Sequence, residues 1–71
     1  MTQDQKQALT MLRATFRRIA SSAEGDHPYW NFVSNIDSML ETGKCKLTES
    51  PGELIDECAD EIVSFAERSQ A

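Results

Sequence analysis

His27-Pro28-Tyr29-Trp30-Asn31-Phe32-Val33-Ser34-Asn35-Ile36-Asp37-Ser38-Met39-Leu40 is the stretch that decides the fold. It holds the only Trp and the only Tyr of the chain, and one of its three Phe. At about 100° per residue, Tyr29, Phe32, Val33, Ile36, Met39 and Leu40 share one helical face. Trp30 does not. It falls on the flank with Ser34, Asp37 and Glu41, where an indole either covers a helix junction or waits for a partner. The stretch therefore predicts one amphipathic helix over residues 27–42, with Asp26 as its N-cap, Pro28 in its first turn and Gly43 as its C-terminal cap.

Working back toward the N-terminus, Thr2 with Gln5 three residues on fits a capping box, in which each side chain satisfies a backbone N–H. Ala8, Leu9, Leu12, Phe16, Ile19, Ala20 and Ala23 follow at i, i+3, i+4 and i+7 spacings, so a first helix is expected over residues 2–23. Lys6, Arg13 and Arg17 line one flank of that face. Gly25 suits the left-handed position that ends a helix. A connection this short makes the first two helices neighbours, antiparallel to one another.

Working forward, Lys44 and Lys46 lie just past the negative end of the central helix, and Leu47 is expected to pin the loop to the core. Ser50-Pro51-Gly52-Glu53 then opens a third helix, with Ser at N-cap, Pro at N1 and Glu at N3. Residues 51–67 are expected to be helical, with Arg68 onward frayed. Leu54, Ile55, Cys58, Ala59, Ile62, Val63, Phe65 and Ala66 cover about half its circumference, with Ile62 near the centre of the arc. The far side carries Glu53, Asp56, Glu57, Asp60 and Glu67. No stretch alternates with the period of a strand. The expectation is an all-α fold: one domain, residues 1–71, of three short helices in a small bundle or a helical hairpin plus one.

Charge narrows the function. The net charge is −5. Residues 1–23 carry +3, from Lys6, Arg13, Arg17 and Arg18 against Asp4, and the remainder carries −8. An acidic chain argues against direct binding to nucleic-acid phosphates, which calls for a basic patch. No apolar run approaches the roughly 20 residues that span a bilayer, and the first residues lack the pattern of a signal peptide. A cytoplasmic location without membrane contact is expected.

The inventory for chemistry is thin. There is one histidine, His27, no Gly-x-Ser-x-Gly elbow and no phosphate-cradling glycine loop. Cys45 and Cys58 lack the paired spacing of a zinc site. Cys58 is expected in the core and Cys45 as a free surface thiol. The reading is of a protein that is not an enzyme and needs no cofactor or metal. It is a protein-binding module, a small inhibitor or regulator, that occupies a partner's surface through Trp30, Asp37, Glu53, Asp56, Asp60 and Glu67. Alternatives are an acidic mimic of nucleic acid and a purely structural homo-oligomer subunit. The wide apolar arc further predicts a homodimer through Leu54, Ile55, Ile62 and Val63, with the basic flank and the acids pairing either within one chain or across the two-fold axis.

Overall fold

The computed structural model describes residues 1–23 and 25–70, for residue 70 the backbone alone. Three α-helices follow one another: α1 (Gln3–Ser22), α2 (Tyr29–Thr42) and α3 (Pro51–Gln70). No strand occurs among the described residues. The fold is the expected all-α bundle. Its long dimension of 35 Å is set by the two 20-residue helices, each about 30 Å long at 1.5 Å per residue.

Local chemistry explains most helix ends. Thr2 and Gln5 form the reciprocal capping box, at 2.9 and 3.1 Å. Gly43 adopts φ of +83°, the left-handed region that costs glycine nothing; Gly25 also has a φ of +77°, but α1 ends before it, at Ser22, with extended Ala23 as the cap whose N–H goes to the Ala20 carbonyl. The Gly43 N–H reaches back to the Met39 carbonyl at 2.9 Å, closing α2. At α3 the Ser50 hydroxyl oxygen accepts from the Glu53 N–H at 3.4 Å. Glu53 does not return the bond directly. Thr48 stands between: its hydroxyl donates to Glu53 Oε2 at 2.8 Å while its oxygen accepts from the Ser50 N–H at 3.1 Å. The box is closed through a third residue.

Two other ends depart from expectation. Asp26 does not cap α2. The cap position is Pro28, and the first helical N–H, that of Tyr29, goes to the Nδ1 of His27 at 3.1 Å. Nor does α3 stop at residue 67. It continues to Gln70, with Arg68 donating from Nη2 to the Tyr29 hydroxyl oxygen at 3.3 Å. A side chain tied to a neighbouring helix holds the last turn that propensity alone would let fray.

The core consists of Leu9, Phe16 and Ala20 from α1, Tyr29, Val33, Ile36 and Met39 from α2, and Leu54 and Cys58 from α3. Phe16 lies at its centre. Its ring stacks on Phe32 at 4.7 Å and meets Tyr29 edge-on at 4.8 Å, and Tyr29 in turn meets Phe65 at 5.9 Å. Burying each large side chain contributes about 1.5–3 kcal/mol, and edge-on aromatic pairs add about 0.5–1.5 kcal/mol. α1 and α2 pack most closely, and α3 leans on α1 more than on α2. This explains a further difference from expectation. Ile62 is only half-buried, because the neighbours reach the Leu54–Cys58 edge of the wide arc rather than its middle.

The loop differs as well. Leu47 is exposed at 51% and pins nothing. Cys45 does that work: it is half-buried, packs against the core, donates from its N–H to the Thr48 carbonyl at 3.1 Å and from its thiol to the same carbonyl at 3.3 Å. Both cysteines are free thiols, but Cys45 is not a surface one. The Cys58 thiol is pushed up to about 12, first by burial, then by the charge of Glu57 and by Cys45. A thiol so hard to ionise is chemically quiet.

Candidate interaction surface

Trp30 stands in the first turn of α2 with 41% of its surface exposed. The reason is angular: its neighbour Tyr29 takes the core direction, which leaves Trp30 about 100° round the helix. A shallow hollow beside the indole is lined by Asp26, His27, Pro28 and Asn31. Aromatic, imidazole and carboxylate groups thus share one short segment. A second depression, lined by Asn31, Ser34, Asn35, Ser38 and Lys46, is wholly polar in its side chains.

Asp37 lies on the same flank as Trp30, two turns on. Its carboxylate is taken: Nε of Arg13 donates to Oδ1 at 2.5 Å. Asp37 therefore fixes α2 against α1, and only what Arg13 leaves free faces outward. This also removes Arg13 from the row of basic residues that sequence spacing drew with Lys6 and Arg17, both of which are exposed.

Glu53, Asp56, Asp60 and Glu67 are all exposed. At about 100° per residue they stand on the side of α3 opposite Leu54, Cys58 and Phe65. Trp30 faces out on the flank of α2 that meets Arg13. The indole therefore stands on α2 and the acids on the outer side of α3. The residues read from the sequence as one binding set are divided between α2 and α3.

Comparison with protein-family models, with curated proteins and with solved structures found no match to this chain.

Of the four residues expected at an oligomer interface, Leu54 is fully buried inside the single chain and lies beneath any contact surface. Ile55 and Ile62 are half-buried, and Val63 is 56% exposed. Ala59 and Ala66 are exposed beside them. An apolar stripe therefore borders the acids along α3.

Spacing alone overlooked one cluster. The Tyr29 hydroxyl donates to Glu61 Oε1 at 3.1 Å, and Arg68 approaches the same Glu61 oxygen at 3.6 Å. Burial, then the hydrogen bond to Glu61 and its charge, push the Tyr29 phenol above its ordinary value, with Arg68 pulling the other way. Two signals were available. A tyrosine on a core face needs a partner for its hydroxyl, and Glu61 falls three residues after Cys58, on the inner side of α3. Among the described residues no group of His, Cys, Asp and Glu could hold a metal ion, and no helix is long and apolar enough to cross a membrane.

Proposed function

We propose that this chain is a non-enzymatic protein-binding module, a small inhibitor or regulator that covers part of a partner's surface. The observation that carries the reading is Trp30, 41% exposed beside Pro28 and His27 in a chain whose core already holds Phe16 and Tyr29, with Phe32 packed against it. An indole left at the edge of a folded core offers large apolar area at low entropic cost, and tryptophan is enriched among residues that dominate binding energy. The single histidine supports the non-enzymatic part, since its Nδ1 is spent on a backbone N–H. A cytoplasmic setting and self-association through the α3 stripe belong to the same proposal.

The acids of α3 favour a second reading, as an electrostatic mimic of nucleic acid. Glu53, Asp56, Asp60 and Glu67 are exposed and none is in an ion pair among the described residues. The two readings separate by surface and by salt. Immobilised wild type, Trp30→Ala and Asp56→Asn/Asp60→Asn would be compared for the proteins they retain at low and physiological salt. An indole-anchored contact is lost with Trp30→Ala, by at least about 2 kcal/mol, and changes little with salt. A mimic's contact survives Trp30→Ala, weakens with the acid pair and falls steeply as salt rises. Retention that depends on neither surface would refute both.

A further inference from the structure

The first turn of α2 is closed by an imidazole. His27 Nδ1 accepts the Tyr29 N–H at 3.1 Å, and among the described residues no other side chain caps the helix. An acceptor at Nδ1 requires the neutral ring with its proton on Nε2, since the imidazolium donates from both nitrogens and accepts at neither. The next two N–H groups depend on the same segment: Trp30 N–H goes to the His27 carbonyl and Asn31 N–H to the Pro28 carbonyl, both at 3.1 Å. Trp30 and His27 line one hollow.

We propose that protonation of His27 opens the first turn of α2 and releases Trp30 from its fixed place, so that the Trp30 surface is gated by pH. This rests on the reading of Trp30 as a contact residue only for its biological meaning; the opening itself does not. Two consequences of protonation act together. The Tyr29 N–H loses its acceptor and is left unpaired in a half-buried place. A positive ring also arrives at the positive end of the α2 dipole, where a cation is unfavourable.

The charged surroundings set what opposes this. Asp26, in the same segment, attracts the imidazolium, but it is exposed and its pull is screened. On the other side the Tyr29 ring, 4.7 Å from the imidazole, stands against it, with Glu61 and Arg68 of α3 at that ring's far hydroxyl. Those two charges oppose one another at 3.6 Å. The end of α1, Ile19-Ala20-Ser21-Ser22-Ala23, has no ionisable side chain, and Glu24 lies outside the described residues.

Amide hydrogen exchange read by NMR tests the gate without any partner. The protection of Tyr29 and Trp30 is taken relative to Ile36, deeper in the same helix, which removes the intrinsic pH dependence of exchange. In the wild type that ratio is expected to fall roughly tenfold between about pH 7.5 and 5.5, from loss of the cap and the dipole penalty together. His27→Asn supplies an oxygen that accepts from the N–H two residues on but does not titrate, and its ratio should stay level. His27→Ala should give the low ratio at both pH values. A level ratio in the wild type, or an equal fall in His27→Asn, overturns the gate. Retention of proteins by immobilised wild type and His27→Asn at both pH values then separates the two claims. A falling exchange ratio with retention indifferent to Trp30 leaves the gate standing and removes the contact reading, and the reverse pattern removes the gate alone.

Discussion

The hydroxyl of Tyr29 and the carboxylate of Glu61 meet at 3.1 Å between the start of α2 and the second half of α3. α3 has few other contacts with α2, so this bond, with Arg68 behind it, ties down a helix that otherwise rests on α1. Tyr29→Phe keeps the ring in the Phe16–Phe65 cluster and deletes only the hydroxyl. The expected cost is about 1 kcal/mol in chemical denaturation, with faster amide exchange in the last two turns of α3 and none of that change in α1. Uniform loosening of all three helices would show that the tie is not local.

Core weight is expected to follow burial rather than the centre of the sequence arc. Leu54→Ala, at a fully buried position, should cost about 2–5 kcal/mol. Ile62→Ala, half-buried, should cost about 1–2 kcal/mol. Ser50→Ala should cost about 1 kcal/mol through its cap bond to Glu53. Urea melts of the three variants give the order, and Ile62→Ala as the worst of them would contradict the packing of α3.

Alkaline solution should destabilise the protein through Cys58. Its folded value, about 12, stands above the roughly 8.5 of an unfolded thiol. Between the two, the unfolded chain has given up the proton and the folded chain has not, so the unfolded state binds fewer protons. Stability is therefore whole below the unfolded value and falls as pH rises, by up to about 1.4 kcal/mol per pH unit. Tyr29, also raised, adds to the loss above about pH 10. Cys58→Ala should melt earlier at pH 7 but lose stability less steeply from pH 9 to 11. Parallel curves for the two proteins would count against the buried thiol as the cause.

The legible parts of this chain were those fixed by neighbours in sequence. Thr2 with Gln5, Gly43, and Ser50 with Pro51 marked helix ends because capping chemistry acts over three or four residues. Cys58 read as core because it falls on the apolar face at helical spacing. What failed depended on other helices. Periodicity gives directions around one helix but not which part of a wide arc its neighbours cover, so it favours Ile62 as the centre where packing favours Leu54. Nor does it show that Asp37, grouped by spacing with the α3 acids, is already held by Arg13 of α1. The His27 cap was hidden for another reason: Asp26 is the better cap by frequency, and only the backbone path through Pro28 brings the imidazole to the Tyr29 N–H.

The proposed self-association should depend on Val63 and not on Arg13. Val63 is 56% exposed, with Ala59 and Ala66 exposed around it and Ile55 and Ile62 half-buried beneath. Paired across a two-fold axis, such a stripe meets its own copy and each residue is used twice. Apolar burial would supply the affinity, since surface ion pairs are worth under about 1 kcal/mol each. Arg13 is already held by Asp37 within the chain, so charge pairing between copies loses one of its three basic residues. Val63→Asp should abolish the dimer in sedimentation equilibrium at micromolar concentration and leave the monomer's melt nearly unchanged. Arg13→Glu should do the opposite, lowering the melt by releasing α2 from α1 while the association constant stays put. Moderate salt should affect neither result. A single 8.0 kDa species for the wild type, melting cooperatively, would mean that the stripe is left to water and that three helices hold the fold alone.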